Sequence, residues 1–455
     1  MDWILTLILV GTYYVVLIPL YFVEVNLCKP KKNIMLGVTV PHAHQESVEV
    51  QAITGSYRKR LRIFVVILGI LGLSLFVMPY MSVQITVMLT LTLAVILGSM
   101  LIFIKANRAL MALKKSSGWQ SGQKSAPVVD LRALSEASKP LPRIWIAIPC
   151  IVAAIPLIPI AIELVRGSYD WEQILAYGAT VIWIPLMVAM AEAFRRQSGE
   201  IVGAISDFNL ITTRIRRRAY MRMMIASIWL LALTASGIWF EMTATQPQMI
   251  LLALVGILSV LMVVYAIHAE FAVRRAQEKF TQLAGDTLEI DTDEYWIWGM
   301  FYYKNGGKLL ENDRVGMNMS MNLARPLGKL SMGLAALAIL AMPFIGGWTI
   351  VQEFSPVTYS MEGNTITVTH VTSRQIDLGR VTTAELLDEW PDGLRTGGTA
   401  IGTLRQGRFQ LDGIDGTTWV ALRTDETPLI FITTADGGQY LFNYDPVFTH
   451  LRNIP

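Results

Sequence analysis

Cysteine, histidine and charge are all scarce in this chain of 455 residues. Two cysteines, Cys28 and Cys150, make no disulfide framework, and a single thiol in each place makes no metal motif. Both read as small buried hydrophobes. Charged residues are 16% of the chain against 53% hydrophobic, and the mean hydropathy is +0.46. That balance excludes an ordinary soluble enzyme and describes a chain held largely in lipid. No nucleophile elbow, phosphate-binding loop, dinucleotide fingerprint or metalloprotease helix is present. Nothing asks for catalysis, a cofactor, a metal or nucleic acid. His42-x-His44 would put two imidazoles on one face of a strand, but no third ligand accompanies them. The apolar runs also lack a charge near their middles, where ion pathways place one. Glu163 and Glu241 fall near outer ends, and Glu192, His268 and Glu270 near inner ends. His268 and Glu270 are two apart, so a helix turns them to different faces. The N-terminus, with acidic Asp2, no basic leader and an apolar run to Phe22, does not read as a cleaved signal.

What is present is apolar length. Eight runs have the size and composition of membrane-spanning helices: Trp3–Phe22, Ile63–Tyr80, Ile85–Ile104, Ile144–Val165, Ile174–Phe194, Met223–Phe240, Met249–Phe271 and Leu330–Val351. Lysine and arginine alternate sharply between them. The segments 23–62, 105–143, 194–222 and 272–329 hold 30 of these residues, and the intervening loops hold only Arg166. The positive-inside rule then places the N-terminus outside, the four long loops in the cytoplasm and the C-terminal tail outside, in a bacterial plasma membrane.

The loop pattern repeats. Residues 1–166 and 172–351 each read as a span, a basic loop, a tight pair of spans, a long cytoplasmic segment and a proline-bearing span. Arg58-Lys59-Arg60-Leu61-Arg62 matches Arg214-Ile215-Arg216-Arg217-Arg218, and Lys139-Pro140-Leu141-Pro142-Arg143 matches Arg325-Pro326-Leu327-Gly328-Lys329. Four spans in each copy make this a parallel 4+4 repeat. Pro156, Pro326 and Pro343 are candidate hinges, because proline donates no backbone hydrogen bond.

The cytoplasmic segments differ in kind. Residues 112–140 are polar, with a short helix expected near Leu131–Ala137. Residues 286–324 are aromatic: Tyr295, Trp296, Trp298, Phe301, Tyr302 and Tyr303 fall within nine positions. Trp296, Trp298, Tyr302 and Tyr303 are candidate interaction residues. They are expected to dock on the inner membrane surface or on the basic stretch Arg214–Arg218. The block Trp298-Gly299-Met300-Phe301-Tyr302-Tyr303, followed by Gly316-Met317-Asn318 and Asn322-Leu323-Ala324-Arg325-Pro326, resembles one shared by uncharacterised multi-pass proteins of Gram-positive bacteria. Leu36-Gly37-Val38-Thr39-Val40-Pro41 and Tyr57-Arg58-Lys59 resemble the first cytoplasmic loop of the same family. The resemblance covers about residues 1–65 and 285–330 and implies a multi-pass fold without an assigned activity. Gly306-Gly307-Lys308 departs from it, standing where an acidic turn is usual.

From Phe354 the pattern changes to period two. Thr365–Thr369, Thr417–Leu422, Leu429–Thr433 and Gln439–Phe442 alternate as strands, with turns at Glu362-Gly363-Asn364 and Asp436-Gly437-Gly438. Pro446–Asn453 reads as a closing helix capped by Asp445. About seven strands and a helix make a small β-barrel over 355–455, and its ending Gly438–Asn443 with Asp445-Pro446 is similar to the bacterial pleckstrin-homology-like domain. From Glu353 onward there are seven arginines and thirteen acidic residues but no lysine, so this is not a phosphoinositide site. Arg405 and Arg408, with Arg423, are the candidate basic face, while Trp390 and Trp419 read as core or rim.

These features describe a non-enzymatic membrane scaffold or sensor that displays an exported binding or assembly domain. Its expected partners are the lipid bilayer, an envelope protein or peptide, and further copies of itself. A transporter or extrusion protein is the second reading, and immunity or resistance to envelope-active peptides is the third.

Overall fold

The computed structural model describes residues 3–31, 33–119, 130–137, 139, 143–166, 177–178, 181–182, 184–185, 187–189, 191, 199, 205–243, 249–284, 291–304, 309–314, 319–371, 373–379, 381–449 and 451. Within them the chain is mainly helical, followed by a C-terminal region of β-sheet. The helices are α1 (Trp3–Asn26), α2 (Val48–Gly72), α3 (Met81–Ser116), α4 (Leu131–Ala137), α5 (Ile144–Ala154), α6 (Leu157–Arg166), α7 (Ser206–Thr243), α8 (Met249–Ala284) and α9 (Pro326–Phe354). Among the described residues six helical stretches are long and apolar enough to cross a membrane, carried by α1, α2 with the turn that follows it, α3, α7, α8 and α9. Their large apolar side chains face outward along much of their length, as lipid contact requires. The expected fifth span, Ile174–Phe194, lies almost wholly outside the described residues.

Several helices outrun their apolar stretches. The helix of the second span starts at Val48 rather than Ile63, with Ser47 accepting from the Val50 amide, so Arg58–Arg62 lies on a helix and not in a loop. The basic stretch Arg214–Arg218 is likewise inside α7. Charged residues are good helix formers, and a helix nucleated in lipid propagates through them. Around Pro156 the helical run breaks between α5 and α6. Pro343 sits inside an unbroken α9, and Pro326 occupies its first turn, where the missing amide costs nothing.

α9 packs along α3, and α1 and α2 complete this group, while α7 packs on α5 and α8. Gly346 allows the α3–α9 approach, since a Cβ there would lie 2.6 Å from the Thr86 Cα.

The tail holds nine strands among the described residues. β7 (Thr358–Glu362), β8 (Thr365–Thr369) and β9 (Ser373–Asp377) form an antiparallel meander. β10 (Val381–Leu387), β11 (Gly393–Ile401), β12 (Leu404–Leu411), β13 (Thr418–Arg423), β14 (Leu429–Thr434) and β15 (Gln439–Asn443) form a second sheet in the order β10-β14-β15-β13-β12-β11. Among the described residues of the tail only the β13–β15 pairing is parallel. Ile366 and Val368 of the small sheet pack with Trp419, Ile430, Ile432 and Phe442 of the large one. Phe409, Leu411, Val420 and Leu441 form a second core, packed with Trp390. The sheets stay open: among the described residues no ladder joins β10 to β11 or one sheet to the other. Asp445 caps the closing segment as expected, and its described start, Pro446–Phe448, is a tight helical turn whose Phe448 is buried in the first core, while residues 450, 452 and 453 lie outside the described residues.

Candidate functional site

Six short strands gather at the basic end of the helices, among them the antiparallel pair β5 (Leu310–Asn312) and β6 (Met319–Met321). β1 (Ile34–Met35) and β2 (Val38–Thr39) form a hairpin after α1, and β3 (Trp296–Ile297) and β4 (Met300–Phe301) form another after α8. In each, a bulky residue and a glycine make the two-residue turn with positive φ: Leu36 at 47° and Gly37 at 78°, Trp298 at 54° and Gly299 at 82°. Such turns match strand twist, but the left-handed backbone strains any residue with a Cβ. Beyond each ladder the Val40 amide bonds the Asn33 carbonyl and the Tyr302 amide bonds the Tyr295 carbonyl, at 2.7 and 2.8 Å.

The two hairpins are joined by Asp293. Its carboxylate accepts from the Thr39 hydroxyl at 2.7 Å, the Thr39 amide at 3.0 Å, and the Lys114 ammonium of α3 at 2.7 Å. The Arg314 guanidinium donates to the same carboxylate and lies over the Trp296 ring. Lys114 also reaches Asp291 at 2.6 Å. Asp293, Lys114 and Arg314 are all buried. Burial pushes the Asp293 pKa up, but the Arg314 and Lys114 cations outweigh it and hold the carboxyl below its ordinary value.

A second charged group holds the start of the first hairpin. Glu270 of α8, only 1% exposed, accepts from Tyr220 of α7 and from Arg274, and lies 3.7 Å from the Lys31 ammonium. Burial pushes the Lys31 pKa down, with Glu270 opposing the shift. The sequence places Glu270 near the inner end of its span, on a different face from His268; its partners are up to 239 positions away and could not be read locally. The first hairpin is thus tied to the C-terminal half through Lys31 before it and Thr39 at its end.

The expected interaction residues divide. Trp296 is buried, 5.3 Å from the Phe301 ring. Tyr303 stacks obliquely on Tyr295, and the Asn322 side chain bonds both its amide and its carbonyl. Lys304 lies over Tyr302. Trp298 stays 41% exposed, with the Arg108 guanidinium of α3 4.7 Å from its ring centre. The cations facing these aromatics are Arg108, Arg314 and Lys304. Arg214 pairs with Glu136 and Arg217 donates to the Lys139 carbonyl. Gly306–Lys308 and Gly316–Asn318 lie outside the described residues.

His42 and His44 sit on a single helical turn, not a strand, and His44 stacks on Trp119. Among the described residues no cluster of three or more metal-type ligands occurs. Burial pushes the Cys28 thiol up to about 11, which keeps it protonated and unreactive.

Arg405 and Arg408 lie on β12 at the other end of α9. Three positions apart on a strand, they leave opposite faces. Arg423 turns inward and donates to the Glu353 and Ser355 carbonyls, both at 2.6 Å, at the end of α9. The buried Glu353 carboxylate accepts the Ser82 amide at 2.9 Å, at the start of α3. The first strand of the tail therefore follows a helix end fixed from both sides.

Comparison with protein-family models, with curated proteins and with solved structures gives no match. The helices and the β region define a membrane-embedded protein with a C-terminal β-sheet unit. Among the described residues its most elaborate side-chain constellation is the ion-pair clasp on Asp293.

Proposed function

We propose that the chain is a non-enzymatic scaffold or sensor of the bacterial plasma membrane, with eight spans in two parallel sets of four. It displays a pleckstrin-homology-like domain outside the cell for an envelope protein or peptide. The observation that carries this reading is the Arg423–Glu353 junction. It couples the β region to α9 and to α3, whose opposite end brings Lys114 into the clasp. α3 has 36 residues, a length of about 54 Å at 1.5 Å per residue, and runs from Ser82 at the junction to Lys114 in the clasp, so a load on the β region reaches the clasp through one helix. The charge asymmetry of the loops supports the orientation, and the aromatic block supports kinship with the Gram-positive multi-pass family.

Thiol labelling tests it in a chain whose Cys28 and Cys150 are replaced by Ser. Asp425→Cys, exposed between β13 and β14, is expected to react with an impermeant reagent on intact cells. Ser116→Cys should react only after permeabilisation. The reverse pattern discards the displayed-domain reading. With the orientation established, removing residues 355–455 should reproduce the envelope-stress phenotype of deleting the whole gene. Full function without the β region would refute its role.

The break at Pro156 favours a second reading, a transporter, because interrupted helices line substrate sites in such proteins. Substrate accumulation in vesicles that survives loss of residues 355–455 would select it.

A further inference from the structure

Arg108 stands where a membrane protein meets lipid headgroups. From Met81 to Ile104 α3 carries no charge, and these 24 residues rise about 36 Å, more than the roughly 30 Å of a hydrocarbon core. Lys105 and Arg108 are the first cations beyond it. By helical periodicity Arg108 falls on the face of Leu97 and Leu101, which are 39% and 68% exposed. Its depth is interfacial and its direction is toward lipid. Asn107, one position away, points inward and bonds the Leu36 carbonyl.

The guanidinium is positioned but not neutralised. Among the described residues no carboxylate pairs with Arg108 or Lys105, whereas Asp291 and Asp293 are committed to Lys114 and Arg314. The described contact of Arg108 is the face of Trp298. That tryptophan holds a left-handed conformation where glycine or asparagine is the usual choice. The adjoining Ile297 is 42% exposed, so the hairpin tip offers an apolar surface beside the cation. Strained backbone residues cluster at binding sites and ligand clamps.

We infer that Arg108 and Trp298 form a binding site for the phosphate headgroup of an anionic phospholipid in the leaflet at the basic end. Trp298 holds the guanidinium planar toward the phosphate, Lys105 adds charge, and Ile297 with Leu101 borders the acyl chains. The site is independent of the display reading, since it requires a leaflet at that end but not a particular side of the cell.

The test measures anionic lipid retained by the purified full chain. The protein, in nanodiscs of phosphatidylcholine containing a minor fraction of phosphatidylglycerol, is washed with phosphatidylcholine–detergent micelles, and the retained lipid is counted. Wild type should keep phosphatidylglycerol. Arg108→Ala should bind it about five-fold more weakly, the loss expected for one basic side chain at a membrane surface. Trp298→Leu should weaken it less, and Arg60→Gln, a basic residue on α2, should leave it unchanged. Equal retention by Arg108→Ala and wild type overturns the site, as does an equal loss with Arg60→Gln. Displacement by millimolar inorganic phosphate would make it a free-anion site and overturn the lipid assignment. If Arg108→Ala does not fold, quenching by brominated phosphatidylglycerol, taken as wild type minus Trp298→Phe, decides. It should exceed quenching by brominated phosphatidylcholine, and equality refutes the proposal.

Discussion

The hairpins at Ile34–Thr39 and Trp296–Phe301 share a register, a left-handed turn and a closing bond beyond the ladder, yet the surroundings use them oppositely. At one tip Leu36 is 1% exposed; at the other Trp298 is 41% exposed. Lys31 and Asp293 hold the same place three residues before the first strand of each hairpin, with opposite charge. Each reaches across the chain, Lys31 to Glu270 of α8 and Asp293 to Lys114 of α3. One backbone device can therefore serve as a core plug or as a surface probe, decided by the residue before the glycine. This correspondence pairs α1 with α8 and α2 with α9, a different phasing from the 4+4 repeat read from the loops, which pairs the first span with the fifth.

The largest expected effect comes from removing the charge that joins the hairpins. Asp293→Ala leaves Lys114 and Arg314 buried without their shared partner, and breaking a buried pair in this way costs about 3–5 kcal/mol. Thermal unfolding of the purified protein in detergent should show it. A midpoint equal to wild type would mean that the clasp contributes nothing.

The tip residues should differ in sign. Leu36→Gly removes a buried side chain and should destabilise by about 2–4 kcal/mol even after turn strain is relieved. Trp298→Gly removes an exposed ring and relieves the same strain, so stability should stay level or rise by about 1 kcal/mol. Equal losses at both tips would show that Trp298 is core.

Asp293 also predicts an acid limb. Its folded pKa lies below the ordinary 3.8, so its stabilisation is complete above that value and is lost as pH falls toward the folded one. Unfolding midpoints measured between pH 6 and pH 3 should drop more steeply in wild type than in Asp293→Asn. Parallel curves would remove Asp293 from the titration.

How much of this was legible follows from range. Apolar length located the cores of six spanning helices among the described residues, and period-two alternation placed Thr365–Thr369 on its observed boundaries. Asp445 was a readable cap and Asp436-Gly437-Gly438 a readable turn, with Gly437 at φ 83°. The helix starts at Val48 and Ser206 were missed because a hydropathy window stops at charges, whereas hydrogen-bond propagation does not. Two-residue strands are too short for any period, though the pairs Leu36-Gly37 and Trp298-Gly299 between apolar residues were the available signal. Alternation identifies strands without specifying which edges meet, so it could not distinguish a closed barrel from open sheets. The Asp293–Thr39 bond spans 254 positions, and nothing local in either residue marks its partner.

The smallest expected effect, a coupling energy, is also the sharpest test of the hairpin comparison. Position 39 carries a hydroxyl where the other hairpin has Phe301, and that hydroxyl is one of four donors on Asp293. Thr39→Val keeps the shape and the backbone amide bond but deletes the 2.7 Å contact, so it should cost about 1–2 kcal/mol. In Asp293→Asn the acceptor is weaker, and the same replacement should cost measurably less. A double-mutant cycle on unfolding midpoints isolates the difference, with a coupling of about 0.5 kcal/mol or more expected for residues in direct contact. Strict additivity would show that Thr39 is held by its strand alone. The link between the hairpins would then rest on Lys114 and Arg314, without Thr39.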